Sequence, residues 1–135
     1  MFVSETKVRV RYGETDQMGY MYHGNYAQYY EIGRVDALRQ LGLSYKKFEE
    51  EGVMMPVLEI HSTFIKPALY DDEVRIRTIM KELPGVRISF EFELFNEKND
   101  LLHTARVNLV FVRSHDKRPI RCPEALMEVL IPFFK

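Results

Sequence analysis

The sequence predicts an α+β fold in which a curled, five-stranded antiparallel sheet wraps one long central helix. Three observations predict it. Tyr26, Tyr29, Tyr30, Gly33, Ala37, Leu38 and Leu41 recur at spacings of three and four, the period of a helix with an apolar face. The part of the chain after Val53 instead alternates apolar with polar residues in segments separated by turn signals. With 135 residues there is room for one domain, residues 1–135, and one core. A helix of about five turns and this apolar cannot lie exposed, so the sheet must curl around it, and the sheet's other face is expected to need a cover as well.

The first strand is expected over residues 2–12, with Thr6, Val8, Val10 and Tyr12 on one side and Lys7, Arg9 and Arg11 on the other. Gly13 breaks that alternation and residues 13–22 read as a loop. The long helix then starts near Gly24 or Asn25, with Asn25 as N-cap and Gly42 as its stop, and is expected to be mostly enclosed. Gly33 inside it permits close approach of another backbone. A second, shorter helix is marked by Ser44 as cap and Gly52 as terminator. Segments 57–66, 72–83, 86–96 and 101–113 are strands, turned at Pro84-Gly85 and over 96–100. Val86, Ile88, Phe90, Phe92 and Leu94 form one apolar face, and Leu101, His103, Ala105, Val107, Leu109 and Phe111 repeat it. A short C-terminal helix has Pro123 near its first turn and is stopped by Pro132. Open strand edges lead us to expect pairing with a second copy.

A composition of 46% hydrophobic and 29% charged residues, with a net charge of -1, gives no global pull toward nucleic acid or a membrane surface. No run of about 18 apolar residues is present, so no membrane span is expected and the default location is the cytoplasm. Cys122 is the only cysteine, which rules out an internal disulfide and a cysteine metal site, and it reads as a structural thiol. His61, His103 and His115 fall on separate strands without ligand spacing, so no metal is expected. A G-x-S-x-G elbow and a Gly-rich phosphate loop are both missing.

The stretch that carries chemistry is the loop-to-helix junction. Asp16 is either a turn residue satisfying backbone donors or a catalytic carboxylate. Tyr22-His23-Gly24-Asn25 follows it at the helix start, where free N–H groups and the positive end of the dipole suit a carbonyl oxygen gaining charge. The side chain of His23 reads as a base, an orienting donor or simply a polar residue near the cap. The N–H at 23 or 24 is a separate candidate. Tyr12 is a core aromatic or a hydroxyl donor to Asp16, with packing the favoured duty. The helix tyrosines read as core, and Glu31 as a solvated or salt-bridged residue.

The pattern Y-x-E-T-D-x-x-G-x-x-Y-H-x-N-Y-x-x-Y-x-E-x-x-R, running from Tyr12 to Arg34, resembles the signature of the hotdog-fold acyl-CoA thioesterases of the 4-hydroxybenzoyl-CoA thioesterase and YbgC type. FIKPALYDDEVRIRT, residues 64–78, resembles their second recurring segment. The resemblance implies a hotdog fold and hydrolysis of a small acyl or aroyl thioester of coenzyme A. It implies Asp16 as general base or nucleophile, Tyr12 as its partner, and His23, whose backbone N–H takes the oxyanion role in related members. Gly24 and Asn25 would shape the substrate site. No cofactor is implied, because coenzyme A is part of the substrate. Among Lys66, Arg75, Arg77, Arg87 and Arg106, we expect Lys66 and Arg87, near strand ends, to meet the CoA phosphates. A homodimer or homotetramer is expected. The alternative is a hotdog module that binds acyl-CoA or scaffolds a partner without turnover.

Overall fold

The computed structural model describes residues 1–135. The strands are β1 (Phe2–Arg9), β2 (Val53–Met54), β3 (Val57–Phe64), β4 (Glu73–Met80), β5 (Arg87–Phe95), β6 (Leu101–Val110) and β7 (Val112–Arg113). Five of them form one antiparallel sheet in the order β1-β4-β5-β6-β3, while β2 and β7 make a separate ribbon. The helices are α1 (Tyr26–Gln40), α2 (Tyr45–Glu50) and α3 (Glu124–Leu130). Ser44 caps α2 by accepting the Lys47 N–H at 3.1 Å. Gly42 and Gly52 leave α1 and α2 at φ +85° and +83°, as the stop signals require. No helix is long and apolar enough to cross a membrane.

The alternation along β5 and β6 is read out in the core. Ile88, Phe90, Phe92 and Leu94 point inward beside His103, Ala105, Val107 and Leu109, all buried in register. Against this face lies one side of α1, formed by Tyr26, Tyr29, Tyr30, Gly33, Ala37 and Leu38. A Cβ on Gly33 would stand 2.6 Å from Thr78 Oγ1 and 3.0 Å from both Ile76 Cγ2 and Phe92 Cε1. The close approach is therefore to side chains of β4 and β5, not to another backbone.

Three expectations are corrected. The long helix is covered on one side only: Ala27, Gln28, Glu31 and Ile32 are exposed, because the sheet curls over the tyrosine face and stops. The outer face of the sheet has no cover and is made wet by cross-strand ion pairs. Glu5 bonds Arg75, Arg77 meets Glu93 at 2.8 Å, and Lys81 meets Glu91 at 3.2 Å. Finally, the first strand ends at Arg9 rather than at 12. Residues Tyr12–Glu14 coil into a 3-10 turn, which Glu14 closes by accepting the Arg11 N–H at 2.9 Å.

The edge strand β3 is exposed at every position. Its inward residues Ile60, Ser62 and Phe64 pair in register with Val107, Ala105 and His103. The α1 backbone packs on β1, β4 and β5, and it reaches β3 only through side chains, Tyr30 to Ser62 and Tyr26 to Phe64, which leaves Ile60 outside its cover.

Candidate active site

The loop after β1 folds back on itself. The Asp16 N–H donates to the Tyr20 carbonyl at 2.8 Å and the Gly19 N–H to the Asp16 carbonyl at 3.0 Å, with Gly19 at φ +78° where a side chain would be strained. The loop then runs antiparallel to the segment after β3, since the Met21 N–H donates to the Ala68 carbonyl at 2.7 Å. That bond is what brings Lys66, fifty residues further along the chain, beside Asp16.

Asp16, His23 and Lys66 line a cavity of about 300 Å³ together with the apolar residues Met21, Tyr26, Phe64 and Ile65. One carboxylate oxygen of Asp16, Oδ1, is held by the N–H groups of Met18 at 2.9 Å and Tyr20 at 3.3 Å. Its Oδ2 accepts from no protein donor, which leaves that oxygen available to a reacting group. At the helix start, the first hydrogen bond of the turn His23–Asn25 runs from the Asn25 N–H to the Tyr22 carbonyl at 2.9 Å. The N–H groups of His23 and Gly24 thus stand ahead of the first helical bond, as an oxyanion site requires. Gly24 has to be glycine for the present placement of Tyr22, because a Cβ there would fall 2.6 Å from the Tyr22 ring. That ring lies tilted against the His23 imidazole, with centroids 4.3 Å apart.

The other residues expected at the site are placed differently. Asn25 is the residue before α1, but its side chain caps nothing; Nδ2 instead donates to the Glu14 carbonyl at 2.9 Å. Tyr12 is 77% exposed, edge-on to Tyr70 at 5.6 Å, so it is not a core aromatic, and it does not line the cavity. The cause is the 3-10 turn, which removes Tyr12 from the strand's alternation. Arg87 opens β5 on the surface and likewise does not line the cavity. Cys122 is buried and burial pushes its thiol up to about 12, which suits a structural role and not a nucleophile.

Two buried polar residues were given no role by the sequence reading. Glu14, only 7% exposed, accepts from the Arg11 N–H, from Arg11 Nη2 at 3.2 Å and from the Tyr29 hydroxyl at 2.9 Å. Burial pushes its carboxyl up, but the donors outweigh it and hold it below the usual carboxylate range. A signal was present: Tyr29 sits on the apolar face of the helix, and a buried hydroxyl needs an acceptor. His103 is the second. It is fully buried behind Tyr26 and Phe64, with Nε2 bonded to the Tyr30 hydroxyl, which in turn meets Ser62 Oγ at 2.7 Å. Burial lowers the pKa of His103 to about 4, so it backs the cavity as a neutral ring.

An antiparallel sheet curled over one helix, with a loop carboxylate and the helix start lining one cavity, defines a hotdog protein of the thioesterase class. The chain belongs to the thioesterase-like superfamily, whose model matches residues 10–130. It is similar to the YneP protein of Bacillus subtilis, 32% identical over 125 residues that cover 93% of this chain and 91% of that one. It is also similar to the acyl-CoA thioester hydrolase YbgC of Escherichia coli, 31% identical over 120 residues, 89% and 90% of the two chains. Among solved structures, the DHNA-CoA thioesterase of Staphylococcus aureus superposes with a TM-score of 0.90 at 33% identity, covering 100% of this chain and 97% of that chain. The resemblance carried by residues 12–34 and 64–78, and the hotdog fold it implied, are thereby borne out.

Proposed function

We propose that the chain hydrolyses an acyl-CoA thioester with a small acyl or aroyl group, giving the free acid and CoA, and that Asp16 carries the reaction. The observation that supports this reading is the free Oδ2 of Asp16 lining the same cavity as the helix start at His23. Membership of the thioesterase-like superfamily supports the reaction class.

The acyl group lies among Met21, Tyr26 and Phe64, with its carbonyl oxygen toward the N–H groups of His23 and Gly24. Asp16 Oδ2 then either takes a proton from water as the water oxygen bonds to the carbonyl carbon, or bonds to that carbon itself. In the first route the C–S bond breaks, the CoA thiolate leaves and the proton follows to it. In the second, the C–S bond breaks and the CoA thiolate leaves as the mixed anhydride forms, and water opens that anhydride in a later step, releasing the acid, restoring the Asp16 carboxylate and giving up a proton to the thiolate. A thiolate is a good leaving group, so neither route calls for a metal, and the oxyanion donors contribute on the order of 10² to 10³ in rate. Lys66, which lines the cavity, supplies a cation for the CoA portion.

The enzyme acts as a homodimer or homotetramer. In support, β3 is an open, wholly exposed edge, and Phe64 at its end also walls the cavity. A second copy on that edge would enclose the acyl group as well as pair the strand. A lone buried thiol and a CoA substrate both suit the reducing cytoplasm.

The test is Asp16→Asn assayed by thiol release across acyl-CoAs of varied chain length and aromatic content. Turnover within a few-fold of wild type sinks the assignment, and tight binding without turnover by the unaltered protein would identify a non-catalytic module. Single turnover in ¹⁸O-water separates the two routes, because only the anhydride route can leave a carboxylate oxygen of Asp16 in the first product.

A further inference from the structure

We propose that Glu14 is a positioning residue for the reaction: one buried carboxylate group and its own carbonyl hold the Asp16 loop against the His23 turn. The inference rests on the reading of Asp16 given above and adds the residue that fixes its geometry.

Glu14 makes contacts in two directions. Through its side chain it is tied to the scaffold. Oε1 accepts both the Arg11 N–H at 2.9 Å and the Tyr29 hydroxyl at 2.9 Å, while Oε2 accepts Arg11 Nη2 at 3.2 Å. Tyr29 is itself fully buried on the sheet side of α1, so the anchor is the rigid part of the fold. Through its main chain Glu14 holds the helix start. Its carbonyl accepts the Tyr22 N–H at 2.8 Å and Asn25 Nδ2 at 2.9 Å, the residues on either side of His23 and Gly24. Two residues after Glu14 comes Asp16. The reacting carboxylate and the oxyanion donors are therefore both referenced to a single residue.

The Asp16 loop has another tie, the backbone pairing of Met21 with Ala68, but that pairing reaches the segment after β3 and not α1. Asp16 spends its side-chain bonds within its own turn, on Met18 and Tyr20, and is exposed. His23 and Gly24 are exposed as well. Removing the Glu14 carboxylate leaves the Tyr29 hydroxyl without its acceptor in the core and releases the turn at Arg11. The carbonyl bonds to Tyr22 and Asn25 survive that change, so what is lost is the tie of residue 14 to α1; the joined loop and turn can then shift against the cavity walls, and a displacement of about 1 Å in a reacting group costs on the order of 10²-fold in rate. Glutamine has the same length and offers one acceptor oxygen, which is all that Arg11 N–H and Tyr29 need. Its amide then faces the guanidinium of Arg11, which is exposed and can swing away.

The experiment is a double-mutant cycle on a CoA ester that the unaltered enzyme turns over. Glu14→Ala is expected to lower kcat by about 100-fold with KM within about threefold, Tyr29→Phe to lower kcat by about tenfold, and Glu14→Gln to recover most of the activity. Because Glu14 works by aligning Asp16 with the oxyanion donors, adding Glu14→Ala to Asp16→Asn is expected to cost about tenfold or less beyond Asp16→Asn alone, well short of the roughly 100-fold it costs the unaltered enzyme. A folded Glu14→Ala with kcat within threefold of wild type overturns the proposal, as does a loss that multiplies with that of Asp16→Asn. If Glu14→Ala does not fold, Tyr29→Phe with unchanged kcat overturns it. Full activity of Asp16→Asn is a different result, read from a different variant, and overturns the assignment of Asp16 itself.

Discussion

The imidazole of His103 stacks on the ring of Tyr26, with centroids 4.3 Å apart and planes 23° from parallel. Tyr26 lines the cavity, so His103 forms the layer behind it. Its Nε2 has Tyr30 as a partner, its Nδ1 has none, and no carboxylate is bonded to it. A second positive proton on this ring would be buried without compensation.

Acid stability follows from that placement. Burial depresses the His103 pKa from 6.5 to about 4, so in this range the unfolded chain binds more protons than the folded one. Stability therefore rises with pH between about 4 and 6.5 and is lost as pH falls through that window, by up to about 3 kcal/mol. Glu14, held low by its donors, adds a loss only as pH falls below the ordinary carboxylate value of 4.5. Urea unfolding at pH 7.0, 5.5 and 4.5 should show the decline in wild type and a flatter profile in His103→Leu. Parallel profiles would contradict this account.

Gly33→Ala should destabilise the fold although alanine is the better helix former. The propensity gain is about 1 kcal/mol. Against it, the new methyl would meet Thr78 Oγ1 at 2.6 Å and Ile76 and Phe92 at 3.0 Å, which forces the helix off the sheet. Overpacking of this sort costs about 1–3 kcal/mol. Thermal unfolding of the variant should give a lower midpoint than wild type, and an unchanged or raised midpoint would show that the helix can lift without loss.

Much of this packing was legible in the sequence, because burial on a strand or helix follows a period. Phe90, Phe92 and Leu94 were assignable to the core by alternation, and Tyr26, Tyr29 and Tyr30 by helical spacing. Asp16 and the helix start at His23 were legible as a motif, and the structure places both on one cavity. What was not legible depends on contacts between residues distant in the chain. Asn25 looks like a cap, yet its amide is drawn to the Glu14 carbonyl, eleven residues earlier. Tyr12 looks like the last inward residue of a strand, yet the Glu14 turn rotates it into solvent. Lys66 and Arg87 are both cations at strand ends. Only the pairing of Met21 with Ala68 selects Lys66 for the cavity.

Lys66 should act on binding more than on chemistry. It is exposed, pairs loosely with Asp100 at 3.5 Å, and lines the cavity. An exposed pair of this kind contributes only about 0–1 kcal/mol to stability. Lys66→Glu should thus leave the unfolding midpoint nearly unchanged and raise KM for CoA esters by about tenfold, with kcat within about threefold. Arg87→Glu, altered at a residue off the cavity, should leave KM near that of wild type. A raised KM in Arg87→Glu alone would move the CoA phosphates to the start of β5.

Ile60→Lys should separate assembly from folding. Ile60 sits on β3 opposite the buried Val107, yet is itself 45% exposed, because α1 does not extend over this edge of the sheet. A lysine there costs the isolated chain little, since its ammonium can remain in water, but it places a charge on the edge that a second copy would cover. Sedimentation should show the wild type as an oligomer and the variant shifted toward the monomer, with far-ultraviolet circular dichroism unchanged. Because Phe64 closes the same strand and also walls the cavity, activity should fall with dissociation and recover as protein concentration is raised. An Ile60→Lys protein that stays oligomeric and fully active would place the contact on another surface, and the half-exposed face of α1 around Ile32 would be the next to alter.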